Sequence, residues 1–142
     1  MRPFLYVLQL LLVVATLVAA ACQSPKKHIL DSEQSQVQLR QIQTRAFDTT
    51  DHDKVLRNSI ATLQDLGFVI DKADATLGSV SATKLDHFQL RMTVTVRARG
   101  ESQSLVRANA QYNVTPVTDP EPYQAFFAAL EKSMFLSAQQ VD

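Results

Sequence analysis

The chain has 142 residues, with 14 basic and 14 acidic residues and a single cysteine. This balance gives no excess of Lys and Arg of the kind that nucleic-acid binding requires, and one cysteine permits no internal disulfide. A chain of this length fits one domain, which must rely on an apolar core for its stability.

The N-terminal residues have the pattern of a bacterial secretory signal. Arg2 precedes an apolar run from Phe4 to Ala21, and the run ends in three alanines directly before Cys22. A basic start, an apolar stretch and small residues at the cleavage site are typical of a signal peptide. A cysteine in this place resembles the lipobox of bacterial lipoproteins, which implies cleavage between Ala21 and Cys22 and acyl chains on Cys22.

Two alternatives to a lipoprotein remain open. The apolar run approaches the ~20 residues that span a bilayer, so an uncleaved transmembrane helix is one, and secretion with a free thiol is the other. The lipoprotein interpretation predicts a protein on the bacterial envelope that faces the periplasm. Gln23 follows the cysteine, whereas an aspartate there retains lipoproteins of enteric bacteria at the inner membrane, so we expect the outer membrane.

The mature chain divides into a predicted tether, residues 22–37, and a single predicted domain, residues 38–142. The tether is rich in Gln, Ser and Lys and has little that can pack. In the domain, apolar points over Val37–Phe47 predict a first strand, and Thr50 is the expected N-cap of a helix over Asp51–Leu66. The next predicted elements are a strand at Phe68–Ile70, a turn at Asp71–Asp74 and a strand at Ser79–Lys84.

The second half of the domain predicts a long antiparallel hairpin followed by a helix. Apolar and polar residues alternate over Leu90–Arg99 and Val106–Val114, with a turn at Gly100–Ser102 between them. Asp119 can cap a final helix, with Pro120 at its first position. The order β-α-β-β-β-β-α predicts an α+β two-layer sandwich, in which two helices cover one face of an antiparallel sheet of about five strands.

Two groups of residues are candidate binding elements. The alternation places four arginines on the polar face of the hairpin: Arg91, Arg97, Arg99 and Arg107. Arginine can bind carboxylates or phosphates bidentately, so this face is a candidate partner-binding surface, although an ordinary solvated sheet face has the same composition. The aromatic stripe of the last helix, Tyr123, Phe126 and Phe127, is either core or the wall of an apolar pocket.

The sequence offers no positive sign of catalysis, a cofactor or a metal site. His28, His52 and His87 are scattered, and no pair has the spacing of a zinc site. The cluster Asp51–Asp53 around His52 is better explained as a solvated helix start than as a set of metal ligands. No serine lies in a Gly-x-Ser-x-Gly elbow. We therefore expect a protein that is not an enzyme and uses no cofactor or metal.

Three segments, FDTTD, LQDLGF and LGSVSATK, resemble a group of small lipoproteins of Gram-negative bacteria that have no established activity. The ending YQAFFAALEKSMFL is similar to the final helix of the same group. A looser architectural likeness is to the helix-grip domains of assembly lipoproteins such as BamC, where a helix ending in Gly-Phe leads into a strand. The resemblance implies a lipid anchor and periplasmic exposure.

Two functions follow as hypotheses. The first is a non-catalytic accessory or binding subunit of an envelope complex for export, efflux or assembly, held on the membrane by acyl chains on Cys22. The alternative is a carrier or sensor of an apolar small molecule between the sheet and the helices. A cavity behind Phe126 and Phe127 would favour the alternative.

Overall fold

The computed structural model describes residues 35–86 and 88–139. The predicted signal peptide, Cys22 and the predicted tether up to residue 34 lie outside the described residues, as do His28 and His87. Residues from Val37 onward form one compact unit. Among the residues that are described, no helix has both the length and the apolar character needed to cross a bilayer.

The described chain contains three helices and six strands. Residues 35–42 are helical (α1). The other elements are β1 Thr44–Phe47, α2 His52–Asp65, β2 Val69–Asp74, β3 Ser79–Asp86, β4 Phe88–Arg99, β5 Gln103–Tyr112, β6 Thr115–Pro116 and α3 Glu121–Gln139.

The strands form one antiparallel sheet in the order β1-β5-β4-β3-β2, and the two-residue β6 also pairs with β5. The centre of the sheet is the β4–β5 hairpin, in which Val94 lies opposite Ala108 and Thr93 opposite Asn109. The predicted α+β class and the antiparallel sheet are confirmed, as is the order β-α-β-β-β-β-α, to which the structure adds α1 and β6.

The sheet has one buried and one solvated face because side chains alternate along each strand. We call the buried face, which packs against the helices, the inner face, and the other the outer face. The inner-face residues of the central strands are buried: Val80, Ala82, Met92, Val94, Val96, Val106, Ala108 and Ala110. The alternation over β4 and β5 therefore predicts correctly which residues form the core.

Both long helices contribute large buried side chains to that core. In α2 these include Val55, Leu56 and Leu63, and in α3 they include Phe126 and Leu130. Ser133 Oγ of α3 donates a hydrogen bond to Asn58 Oδ1 of α2 at 2.9 Å, so the helices also contact each other. They form a layer over the inner face and leave the outer face open.

The predicted first strand over Val37–Phe47 is wrong in its first part, because residues 35–42 are helical and only Thr44–Phe47 is a strand. The end of the predicted tether, residues 35–37, belongs to the same helix. Leu39 and Ile42 are three residues apart, which places them on one side of a helix, and both pack against the core.

Several element boundaries also differ from the predictions. The strand predicted over Val106–Val114 is β5, Gln103–Tyr112, so Val114 lies in a turn. Asp51, not Thr50, caps α2, since its carboxylate accepts a hydrogen bond from the Lys54 N–H at 2.8 Å. The predicted turn at Asp71–Asp74 is the second part of β2, with a register shift between Ile70 and Lys72. Helix α3 begins at Glu121, and Asp119 accepts a hydrogen bond from the Glu121 N–H at 3.0 Å, as expected of a cap.

Candidate functional site

The four predicted arginines share the outer face of the sheet, as their alternation indicates. In the β4–β5 pairing, Arg91 lies opposite Gln111 and Arg107 lies opposite Thr95. Arg97 and Arg99 are six and eight residues after Arg91 on β4, and residues an even number apart on a strand lie on the same face. All four side chains are exposed. The structure therefore brings these four residues to one open surface.

The arginines do not form one cluster. Arg97 lies diagonal to Arg107 across the pair, which corresponds to ~7–8 Å, and Arg99 is the next outward residue on β4. Arg91 lies four residues before Thr95, roughly 13 Å along the strand from the level of Arg107. Arg99 lies equally far from that level, four residues after Thr95, but Arg97 lies between the two. We therefore call Arg97, Arg99 and Arg107 the arginine cluster, and the uncharged Thr93 separates Arg91 from it.

Arg97 already has a structural role within this cluster. Its guanidinium donates hydrogen bonds to the carbonyl oxygens of Leu77 and Val96, which fastens the β2–β3 turn to β4. The side chains of Arg99 and Arg107 form no hydrogen bond or ion pair with other described residues. Their donor groups are therefore available to a carboxylate or phosphate, in the bidentate geometry that arginine favours.

The middle of the outer face is lined by hydroxyl groups that bond to their neighbours. Ser81 and Thr93 share a hydrogen bond of 2.9 Å between their hydroxyls, and Thr83 donates to Asp71 at 2.6 Å. These pairs leave the flanking arginines as the groups most able to bind an anion. The outer face is therefore an open polar surface on which the arginines are exposed cationic groups.

The aromatic stripe of α3 belongs to the core. Tyr123 and Phe126 are fully buried and Phe127 is nearly so. The rings of Phe126 and Phe127 meet edge to face, with centroids 5.2 Å apart, and the Arg45 guanidinium lies 5.2 Å from the Phe127 ring centroid. Of the two interpretations left open by the sequence, core packing is therefore the one that the structure supports.

A groove of about 250 Å³ lies elsewhere, between the sheet and the ends of the two long helices. Its lining residues are Leu66, Phe68, Lys84, Leu90, Tyr112, Asp119, Glu121, Pro122 and Ala125. Tyr123, Phe126 and Phe127 are not among these lining residues. Sequence reasoning missed this groove because it depends on how far each helix extends across the sheet, and residue periodicity carries no such information.

The histidine and acidic residues at the start of α2 do not form a metal site. Asp51 acts as the helix cap, and His52 is half-buried, with its Nε2 atom buried and without a hydrogen-bond partner in the described part of the chain. Asp51 and Asp53 on either side of it are exposed, so the helix start is solvated except on the side where the His52 ring packs. Within residues 35–86 and 88–139, no group of three or more His, Cys, Asp or Glu side chains could hold a metal ion.

The fold and these surfaces define a small α+β domain that has helices on one sheet face and an open polar surface on the other. No protein-family model matches the chain, and no curated protein sequence matches it.

Proposed function

We propose that this protein is a lipid-anchored, non-catalytic binding subunit of an envelope complex, which faces the periplasm of a Gram-negative bacterium from the outer membrane. Acyl chains on Cys22 hold it on the membrane, and the arginine cluster of the outer face binds a partner protein that presents carboxylates. The partner belongs to an export, efflux or assembly machine.

The observation that carries the proposal is the open outer face, on which the guanidinium groups of Arg91, Arg99 and Arg107 have no partner among the described residues. Arg99 and Arg107, the two of these that belong to the arginine cluster, have hydrogen-bond donors that no other described residue uses. Charge complementarity favours a carboxylate-bearing partner, because arginine recognises carboxylates with two parallel hydrogen bonds. A nucleic acid is a poor fit, since the whole chain carries no net positive charge.

The anchor is supported by the sequence of the signal and by the energetics of acylation. One acyl chain gives only marginal membrane binding, at about 0.8 kcal/mol for each buried methylene, so several chains are needed for permanent attachment. The lipoprotein resemblance implies three chains on the mature N-terminus. Intact mass spectrometry of the native protein tests this: we expect a chain that begins at an acylated Cys22, and Cys22→Ser should abolish both the acyl mass and the cleavage.

Site-specific crosslinking in the native cells tests the docking surface. A photo-crosslinking residue at Asn109 lies on the outer face beside Arg107, and a matched one at Gln64 is exposed on α2 in the opposite layer. We expect Asn109 to capture a defined envelope protein and Gln64 not to capture it. The product at Asn109 should disappear in the double variant Arg99→Glu/Arg107→Glu.

The control is Arg57→Glu, which reverses the charge of an exposed arginine on α2. Arg97 is left unchanged because its substitution would also disturb the β2–β3 turn. Loss of the product in both the double variant and the control would point to a general effect of charge. A product that survives the double variant would show that the arginine cluster is not the docking surface.

The groove favours a second candidate function, that of a carrier for an apolar small molecule. Its volume of about 250 Å³ falls below the ~300–1,000 Å³ of usual ligand sites, so it would accept only a small ligand. Native mass spectrometry separates the two functions. A bound apolar molecule in the purified protein supports the carrier, and a mass equal to the acylated polypeptide alone contradicts it.

A further inference from the structure

Exposed apolar side chains gather at one end of the sheet, where two turns come together. Leu85 and Phe88 flank the β3–β4 turn, while Tyr112 ends β5 and Val114 lies in the β5–β6 turn. The backbone N–H of Asn113, in the β5–β6 turn, donates to the carbonyl of Gln89 at 2.9 Å, which places the two turns side by side. We call Leu85, Phe88, Tyr112 and Val114 the hairpin end.

The exposure of these side chains is large. Leu85 is 84% exposed, Phe88 66% and Val114 87%, and Tyr112 is 42% exposed. Turns are ordinarily built from Gly, Pro, Asn, Asp and Ser, so apolar side chains at two adjacent turns are unusual. Grouped apolar exposure of this kind marks a contact with a protein or a membrane.

The direction of the side chains favours a membrane over a protein. Leu85 pairs with Gln89 on the outer face. Phe88 and Tyr112 occupy positions that alternate with those of the outer face, so they are on the inner-face side of their strands. Apolar groups therefore project on both sides of the sheet at this end. A fluid lipid surface can contact both sides of such an end at once, because the lipid molecules pack around an apolar group that enters the headgroup region.

The charged residues near the hairpin end are of both signs, as are the charges of zwitterionic lipid headgroups, and the acidic ones include Asp86, which stands between Leu85 and Phe88 in the sequence. The exposed Arg91 on the outer face and Lys84 on the inner face lie a few residues from the hairpin end, where their cationic groups can reach lipid phosphates. The Phe88 and Tyr112 rings meet edge to face at 6.4 Å, and tyrosine is enriched at membrane interfaces. Asp119 and Glu121 line the groove behind the hairpin end, at the N-terminus of α3, where the helix dipole favours negative charge.

We propose that the hairpin end inserts into the headgroup region of a phospholipid bilayer, to the ~5–10 Å depth typical of interfacial contacts. The inference rests on the proposed anchorage, which brings the domain to the membrane, and adds an orientation to it. Strand β4 runs from Phe88 to Arg99, and Arg107 is level with Thr95, so the arginine cluster would stand roughly 23–36 Å along the strands from the hairpin end, away from the lipid. The anchored domain would then present its docking surface outward at a fixed height.

The experiment uses tryptophan as a reporter, because the chain has none of its own. The variant Phe88→Trp places one indole at the hairpin end, and Phe135→Trp places one at a matched site, since Phe135 is 64% exposed on α3. The full native chain is reconstituted in vesicles of phosphatidylethanolamine and phosphatidylglycerol, with or without bromine on the acyl chains. We expect the brominated lipid to reduce emission about twofold for Phe88→Trp and to leave Phe135→Trp unchanged, because only the first indole enters the interface.

A second variant tests whether the quenching depends on the apolar groups of the hairpin end. Adding Leu85→Ser and Val114→Ser to Phe88→Trp removes two apolar groups that are exposed and therefore not needed for folding, and we expect most of the quenching to disappear. Equal quenching at positions 88 and 135, or none at either, would overturn the proposal and leave the hairpin end as a protein-docking surface. Intact mass spectrometry of the same sample tests the anchor separately. A chain that begins at Met1 without acyl chains would refute the anchor. The tryptophan emission would still test the hairpin end in that case, because the apolar N-terminal run can itself bind the vesicle.

Discussion

The side-chain amide of Gln43 donates a hydrogen bond to the hydroxyl oxygen of Tyr123, 3.2 Å away and 80 residues further along the chain. The same oxygen accepts from the backbone N–H of Ala110 at 3.2 Å, and the hydroxyl donates to the carbonyl of Val117 at 2.7 Å. Strand β5 pairs with β1 over residues 104–107 and with β6 over residues 111–112. The hydroxyl of Tyr123 therefore satisfies the backbone of β5 in the gap between its two partners.

Removal of this hydroxyl should destabilise the domain without disturbing its packing. In Tyr123→Phe the ring stays in the core, but the Gln43 amide, the Ala110 N–H and the Val117 carbonyl lose a buried partner. We expect the free energy of unfolding to fall by about 1–3 kcal/mol, the cost of leaving buried polar groups unpaired. Urea unfolding of the mature chain, followed by circular dichroism, measures the change.

The control is Tyr112→Phe. The Tyr112 side chain is 42% exposed, and its hydroxyl makes no hydrogen bond to a described residue, so this change should leave the unfolding midpoint in place. A Tyr123→Phe variant as stable as the parent would show that the hydroxyl does not stabilise this part of β5.

The sequence predicted the central sheet because β4 and β5 each have one polar and one apolar side. Strict alternation, as in Val94–Thr95–Val96, has one simple explanation, a strand with one covered face. The same argument placed Arg91 and Arg107 on the outer face. Helix α2 was predicted equally well, since its apolar residues repeat at helical spacing.

Other features depend on tertiary contacts that leave no pattern in the chain. Gln43 is an ordinary polar residue in the sequence, and only the position of Tyr123 accounts for its burial. Tyr112 belongs to the apolar side of the alternation predicted over Val106–Val114, yet it is 42% exposed, and Phe88, just before the predicted strand at Leu90, is 66% exposed. They are exposed because the strands extend beyond the helices that cover the inner face.

The corrected cap of α2 gives a second prediction. Asp51→Ala removes the carboxylate that accepts from the Lys54 N–H, so we expect a loss of about 1 kcal/mol, typical of a missing N-cap. Thr50→Ala is the matched change one residue earlier and should be close to neutral. Thermal unfolding of both variants decides between the two positions, and a larger loss in Thr50→Ala would restore Thr50 as the cap.

Gly78 gives a third prediction, because its backbone and its surroundings both exclude a side chain. Its φ is +55°, and an added Cβ would lie 2.7 Å from the carbonyl oxygen of Val96. Gly100 has a similar φ of +61° but open space around the same position. Alanine at either site meets the left-handed penalty of ~1–2 kcal/mol, so the pair isolates the steric conflict.

We expect Gly78→Ala to lower the free energy of unfolding by about 1–3 kcal/mol more than Gly100→Ala does, as overpacking typically costs. The carbonyl of Gly78 also accepts a hydrogen bond from the Val96 N–H at 2.8 Å, so the backbone there has little room to move away. Equal losses in the two variants would mean that the β2–β3 turn yields to the added methyl group.

Removal of the Thr62 hydroxyl should stabilise the domain, whereas the three changes above should destabilise it. Thr62 is 1% exposed in α2, and its Oγ1 atom is buried without a hydrogen-bond partner among the described residues. Thr62→Val keeps the branched shape and removes an unpaired hydroxyl, whose burial costs ~1–3 kcal/mol. We expect the variant to be more stable than the parent by about 1 kcal/mol in urea unfolding.

Ser59→Ala is the matched comparison in the same helix. Ser59 is fully buried, but its hydroxyl donates to the Val55 carbonyl at 2.8 Å, so its removal should bring no gain. A Thr62→Val variant that is less stable than the parent would show that the hydroxyl has a partner in solution. Because α2 packs on the inner face of the sheet, the sign of this one change reports directly on how dry that interface is.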